Sequence, residues 1–280
     1  MLPLNFHKTF IPERRYIAAL LDFVAIGKKG SYKDIANETD IPMGKTNGKV
    51  PAILNYAKGM GLIEVDKPGK GGVYSPRLTS FGRIVYLGDK YLGEKVVQWL
   101  VHINLCRADI GSKVWNALFA EGGSLGNSFR YDDLELYLSV KFGSGNKKGR
   151  VGPIIRTYTD DAALYRAKVL NASDEKTSSG TIISIHKAPL VEIYALAYGA
   201  LIAELFESYF VNQTQVTVND FNKTSKLFDI CRWDKFDIEK VLRHIEERGL
   251  FTIDRQRHPW IIEKRCDSED IWPKILDDIA

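Results

Sequence analysis

One spacing of apolar residues is written twice along this chain. Val50, Ile53, Leu54 and Ala57 are followed by Gly61, and Ile238, Val241, Leu242 and Ile245 are followed by Gly249. Positions i, i+3, i+4 and i+7 fall on one face of a helix, and the glycine stands where a left-handed residue closes it. In the first copy Leu62-Ile63-Glu64-Val65 then reads as a strand, residues 66–72 as a polar loop, and Val73, Tyr74 and Leu78 as a return strand. Pro51 has no N–H to donate and fits only the first turn, so the first copy's helix is expected to start near Asn47 and run to 60. Upstream, Pro12 to Ile26 predicts a helix, and Ser31-Tyr32-Lys33-Asp34 predicts a capping box opening another over 32–38. Three helices and a hairpin predict a winged helix. The second copy predicts the same order: a leading helix from Thr217 to Cys231, a long one from Phe236 to Arg248, strands over Leu250 to Ile253 and Trp260 to Glu263, and a wing at Arg255-Gln256-Arg257-His258-Pro259.

Between the copies the pattern is mostly helical, with Trp99 and Trp115 at positions that ask for bulk. Alternation in Arg166 to Leu170 and Thr181 to Ile185 predicts a small hairpin. The most apolar run, Leu190 to Phe210, contains Glu192, Glu204 and Glu207 and three tyrosines, which predicts a buried core helix rather than a membrane span. The expected fold is therefore mainly α. Its expected divisions are a winged-helix module at 1–90, a helical core at 91–213 and a second winged-helix-like module at 214–280.

Charge separates the two copies. Lys and Arg against Asp and Glu number 14 against 8 over residues 1–90, 13 against 13 over 91–213, and 12 against 14 over 214–280. The net +4 of the chain thus arises in the first module, as expected of a face that binds DNA phosphates. The candidate DNA contacts there are Lys45, Thr46, Asn47 and Lys49 at the start of the recognition helix, Asn55 and Lys58 along it, and Lys67 and Lys70 in the wing. Arg255 and Arg257 keep a DNA role open for the second module, against a docking role. The run Gly143-Ser-Gly-Asn-Lys-Lys-Gly-Arg150 reads either as a solvated linker or as a phosphate cradle using Lys147, Lys148 and Arg150.

Other chemistry is thinner. Gly44-Lys45-Thr46 ends like a nucleotide-binding loop, but Thr39 stands where the leading glycine is needed. The five histidines show no zinc spacing. Three cysteines, Cys106, Cys231 and Cys266, without ligand spacing, read as reduced thiols of a cytoplasmic protein. Asp132, Asp133 and Glu135, or Asp160 and Asp161, could hold Mg²⁺ or Mn²⁺, and equally fit acids at helix starts.

The segment Phe6-His7-Lys8-Thr9-Phe10 with Arg14 and Arg15 carries a resemblance, as does the run Leu78-Thr79-Ser80-Phe81-Gly82 through Asp89-Lys90-Tyr91-Leu92 to Trp99-Leu100. Together they resemble a bacterial family of uncharacterised domains that spans a chain of about this length. Its members travel with DNA phosphorothioation operons, beside sulfur-transfer proteins, and one group is the nicking component of the Ssp system. Where members carry an acid after the first histidine, this chain has Lys8; for a second acid after the aspartate-tyrosine-leucine run, Glu94 is the nearest. The resemblance implies a protein that engages double-stranded DNA, with phosphorothioation sulfur-transfer proteins as partners and no membrane. It also implies a DNA nicking endonuclease whose site is built from His7, Arg14, Arg15 and Asp89, with Mg²⁺ or Mn²⁺ as the candidate cofactor. The alternative is a non-catalytic winged-helix adaptor that places sulfur-transfer partners on DNA.

Overall fold

Both glycines of the repeated pattern close their helices in the left-handed conformation, Gly61 at φ 74 and Gly249 at φ 70. The same pair of hydrogen bonds surrounds each: Gly61 N–H to Lys58 O and Leu62 N–H to Ala57 O, then Gly249 N–H to Glu246 O and Leu250 N–H to Ile245 O. The computed structural model describes residues 1–44, 48–66, 68–143, 147–173, 181–256 and 258–276. The fold is mainly α, with small antiparallel sheets, and the chain divides into two compact units, Met1–His186 and Lys187–Ala280.

The first unit opens with α1 (Arg14–Ala25), α2 (Tyr32–Thr39) and α3 (Val50–Gly59), followed by the paired strands β1 (Ile63–Glu64) and β2 (Arg77–Leu78). An isolated antiparallel bridge between Gly30 and Tyr74 lies outside these strands. The Ser31 capping box forms as expected: its hydroxyl accepts from Asp34 N–H and the Asp34 carboxylate accepts from Ser31 N–H. Pro51 sits in the first turn of α3. The hairpin is shorter than the apolar run implies; Tyr74 joins the bridge instead, and residues 70–72 of the connecting loop form a 3₁₀ turn.

Next come α4 (Ser80–Gly88), α5 (Lys95–Cys106) and α6 (Lys113–Phe119), then β3 (Ser128–Arg130), α7 (Tyr131–Phe142), α8 (Lys147–Thr159), β4 (Leu170–Ala172) and β5 (Ile182–Ile185). Strands β3, β5 and β4 form one antiparallel sheet in that order. The expected hairpin is present, but residues 165–167 form a 3₁₀ turn rather than a strand, and β3 joins it from a stretch too short to show alternation. Every residue of α5 from Val96 to Cys106 is buried, so this helix is the axis of the unit's core. Its polar side chains are satisfied internally. Gln98 donates to Leu92 O and accepts from Ala167 N–H, Trp99 donates to Ala167 O at 2.9 Å, and His102 Nδ1 lies 2.6 Å from the Tyr158 hydroxyl, which also accepts from Trp115 at 3.0 Å.

The second unit contains α9 (Ala195–Tyr209), β6 (Gln215–Thr217), α10 (Val218–Ser225), α11 (Leu227–Cys231), α12 (Lys235–Glu247), β7 (Phe251–Asp254), β8 (Ile261–Lys264) and the short α13 (Ser268–Ile271). The single leading helix expected over Thr217 to Cys231 is corrected here: Thr217 ends β6, and Lys226, at φ 58, separates α10 from α11. Strands β6, β8 and β7 form an antiparallel sheet in that order. The apolar run around 195–209 is a buried helix packed against α12 and α13. At Gly199 it touches Leu250 so closely that an added Cβ would lie 2.4 Å from Leu250 Cδ1. Among the described residues no helix is long and apolar enough to cross a membrane.

Candidate functional site

The motif behind the resemblance is largely architectural. Thr79 caps α4 by accepting from Gly82 N–H at 2.8 Å and donates to Gly61 O, so it ties the end of α3 to the start of α4. Gly82 lies flat on the backbone just before β1, where a Cβ would stand 1.8 Å from Leu62 O. Leu92 and Trp99 are buried in the core. Asp89 and Lys90 are partly exposed, and Tyr91 is exposed.

Asp89 holds the turn between α4 and α5. Its Oδ1 accepts from Gly93 N–H at 2.7 Å and its Oδ2 from Glu94 N–H at 2.8 Å. Burial raises its pKa above the usual carboxylate range, against the pull of those two N–H groups and of the nearby Arg14 and Arg166 charges. Arg14, at the start of α1, donates from its backbone to Ala162 O and from its guanidinium to Asp161 O, both at 2.8 Å. Arg166 donates to Gly93 O at 3.2 Å. Three chain segments therefore bring two guanidinium groups and one partly buried carboxylate into one neighbourhood. Negative charge developing on the oxygens of an attacked phosphate would be stabilised by such a pair of arginines, and a carboxylate with a raised pKa is suited to accept a proton.

His7 lies elsewhere. It is 1% exposed and packed edge-on against Phe6 and Trp115, and burial lowers its pKa to about 4. Lys8 and Thr9 take left-handed backbone, φ 46 and 75, which lets Thr9 N–H reach back to His7 Nδ1 at 3.1 Å. The histidine is thus a neutral anchor of the N-terminal segment in this structure, assisted by Arg156, which donates to Thr9 O at 2.7 Å. Arg15 is exposed and pairs with Glu13 and the Tyr16 hydroxyl. Sequence reasoning misses Arg166 and its neighbours Tyr165 and Lys168, because the residues from Arg166 onward read as a strand; the tyrosine followed by two basic residues around Ala167 is the available signal.

The DNA-contact candidates fall into three states. Lys45, Thr46, Asn47, Lys67 and Arg257, and the side chains of Lys147 and Lys148, lie outside the described residues. Lys49 pairs with Glu13 and lies over the Tyr16 ring, Lys58 donates to Val65 O at 3.1 Å, Asn55 donates back to Pro51 O, and Arg150 is buried, donating to Gly143 O at 2.8 Å. Arg255 pairs with Glu246 at 2.6 Å and lies over Trp260. Lys70 is exposed in the loop between β1 and β2.

The candidate metal acids do not converge. Asp133 accepts from Arg130 N–H at the start of α7, and Asp160 accepts from Ala162 N–H within a turn. Among the described residues no group of three or more His, Cys, Asp or Glu is placed to hold a metal ion. The described carboxylates therefore do not make the donor set of a two-metal centre.

No family model matches the chain, and no curated protein matches it. Two solved structures share its fold. A magnesium ion-bound SspB crystal structure superposes with a TM-score of 0.70 at 15% identity, covering 99% of this chain and 88% of that one. A second SspB crystal structure gives 0.68 at 14% identity, with the same coverage.

Proposed function

With the SspB-like fold as premise, we propose that this chain is the DNA-engaging, strand-nicking component of a DNA phosphorothioation system, working in the cytoplasm beside sulfur-transfer partners. The observation that carries the reading is the similarity to SspB over nearly the whole chain, which agrees with the resemblance seen in the Leu78 to Leu100 run. Residues 1–90 act as a winged helix on double-stranded DNA, and their excess of six positive charges, 14 against 8, supplies the attraction to phosphate. The nicking site is the Asp89 neighbourhood. Arg14 and Arg166 stabilise charge on the oxygens of the attacked phosphate. Asp89 takes the proton of the attacking water as its oxygen bonds to phosphorus, the P–O bond to one sugar oxygen breaks, and that oxygen leaves with a proton taken from solvent. His7 and Arg15 lie outside this site: one anchors the N-terminal segment, and the other pairs with Glu13 beside α1.

A second reading, a non-catalytic adaptor, is favoured by one observation, the scatter of the candidate metal-binding acids among the described residues. Supercoiled plasmid separates the two. The nicking reading expects open-circular product, assayed with and without Mg²⁺ or Mn²⁺, and the adaptor reading expects DNA binding without product under any of these conditions.

A further inference from the structure

Three aromatic side chains are among the large apolar residues left exposed in the described structure: Tyr91, Tyr165 and Phe236. Two of them flank the Asp89 neighbourhood. Tyr91, 62% exposed, sits in the turn that Asp89 caps, and Tyr165, 39% exposed, precedes Arg166. The hydrogen bond from Arg166 to Gly93 O holds the two turns together. Each ring carries a lysine on one face: Lys90 Nζ lies 5.3 Å from the Tyr91 centroid and Lys168 Nζ 3.3 Å from that of Tyr165. Lys90 is fixed there by Asp22 at 2.9 Å, and left-handed backbone at Leu92 (φ 49) and Lys168 (φ 54) shapes the two turns.

We propose that Tyr91 and Tyr165 form a stacking platform for unpaired nucleobases beside the Asp89 and Arg14 pair, so that the strand to be cut is held there in single-stranded form. The proposal rests on the nicking reading and names the state of its substrate. Exposed rings with a cation on one face suit bases, because every base offers a π-face to the free side. The surrounding charge argues against a backbone-tracking groove. Exposed Glu94 and Asp161 stand on the same two turns as Arg166 and Lys168, and Asp160 lies next to them, so phosphate attraction is largely cancelled. Contact is therefore through base faces, with little dependence on salt.

The test uses full-length protein and fluorescein-labelled dT12, with a twelve-base-pair duplex alongside. Wild type is expected to bind dT12 with a salt slope below that for the duplex. The Tyr91→Ala, Tyr165→Ala double variant should lose about tenfold or more in dT12 affinity, with duplex affinity and melting temperature retained, and Tyr91→Phe, Tyr165→Phe should restore dT12 binding. Unchanged dT12 affinity in the alanine variant, or wild-type binding to duplex but not to dT12, would overturn the platform and leave the nicking reading standing. A wild type that binds neither DNA would overturn both.

Discussion

Arg166 Nη1 donates to the Gly93 carbonyl oxygen at 3.2 Å, which fastens the turn after α8 to the turn that carries Asp89. With Arg14 held to the same region through Asp161 and Ala162, the candidate site draws on residues some seventy positions apart on either side of α5. The arrangement explains how a carboxylate and two guanidinium groups can share a neighbourhood that no local motif announces.

Asp89 has both a structural and a proposed chemical role, and the two separate on mutation. Asp89→Ala removes both acceptors for Gly93 N–H and Glu94 N–H and should cost about 1–2 kcal/mol, read from denaturant unfolding. Asp89→Asn keeps one acceptor oxygen, so it should stay closer to wild type in stability and still lose nicking. Nicking retained by a folded Asp89→Asn protein would remove the carboxylate from the mechanism.

His7 predicts a pH dependence of stability. Its folded pKa, about 4, lies below the ordinary value of 6.5, so the unfolded chain takes up a proton first. Its contribution is complete above pH 6.5, falls as the pH drops, and is fully lost below about 4. The difference amounts to about 3 kcal/mol between these limits. Equilibrium unfolding at pH 7 and pH 4.5 should show a smaller loss in His7→Gln than in wild type, and an equal loss in both would contradict the assignment.

Gly82 is required by close packing rather than by backbone freedom. A methyl group there would meet the Leu62 carbonyl at 1.8 Å. Gly82→Ala should therefore destabilise by about 3 kcal/mol, because the obstacle is backbone and cannot swing aside. Thermal melting of Gly82→Ala beside Gly152→Ala, where nothing lies within 4 Å of the added carbon, tests this.

The lysines of the first module should divide in the same way. Lys49→Ala leaves Glu13 with Arg15 alone and takes an ammonium from over the Tyr16 ring, so it should lower stability, whereas Lys70→Ala, at an exposed position between β1 and β2, should leave the melting temperature unchanged. If Lys45 and Lys70 contact phosphate, their double replacement by alanine should reduce the log–log salt slope of duplex binding by about two. An unchanged slope would place the DNA on another face.

Helices with a repeating apolar face are legible in the residue spacing alone. That spacing predicts helices over 12–26, 32–38 and 47–60, and α1, α2 and α3 occupy 14–25, 32–39 and 50–59. Both C-capping glycines and the strands after them are visible for the same reason. The break at Lys226 is not, because a single left-handed lysine leaves no compositional mark. Strands of two or three residues, such as β3 and β6, carry too little alternation to register. At the candidate site Asp89 and Arg14 can be picked out from the resemblance, but their meeting with Arg166 depends on tertiary contacts across α5. The burial of His7 likewise follows from packing against Trp115, and nothing in Phe6-His7-Lys8 signals it.

The most direct test of the central claim is the conversion of supercoiled plasmid by the purified full-length chain, with and without Mg²⁺ or Mn²⁺. The account predicts open-circular product from wild type, and its loss in an Arg14→Ala variant that still binds duplex DNA. No product from wild type under any of these conditions, or undiminished product from Arg14→Ala, would contradict it.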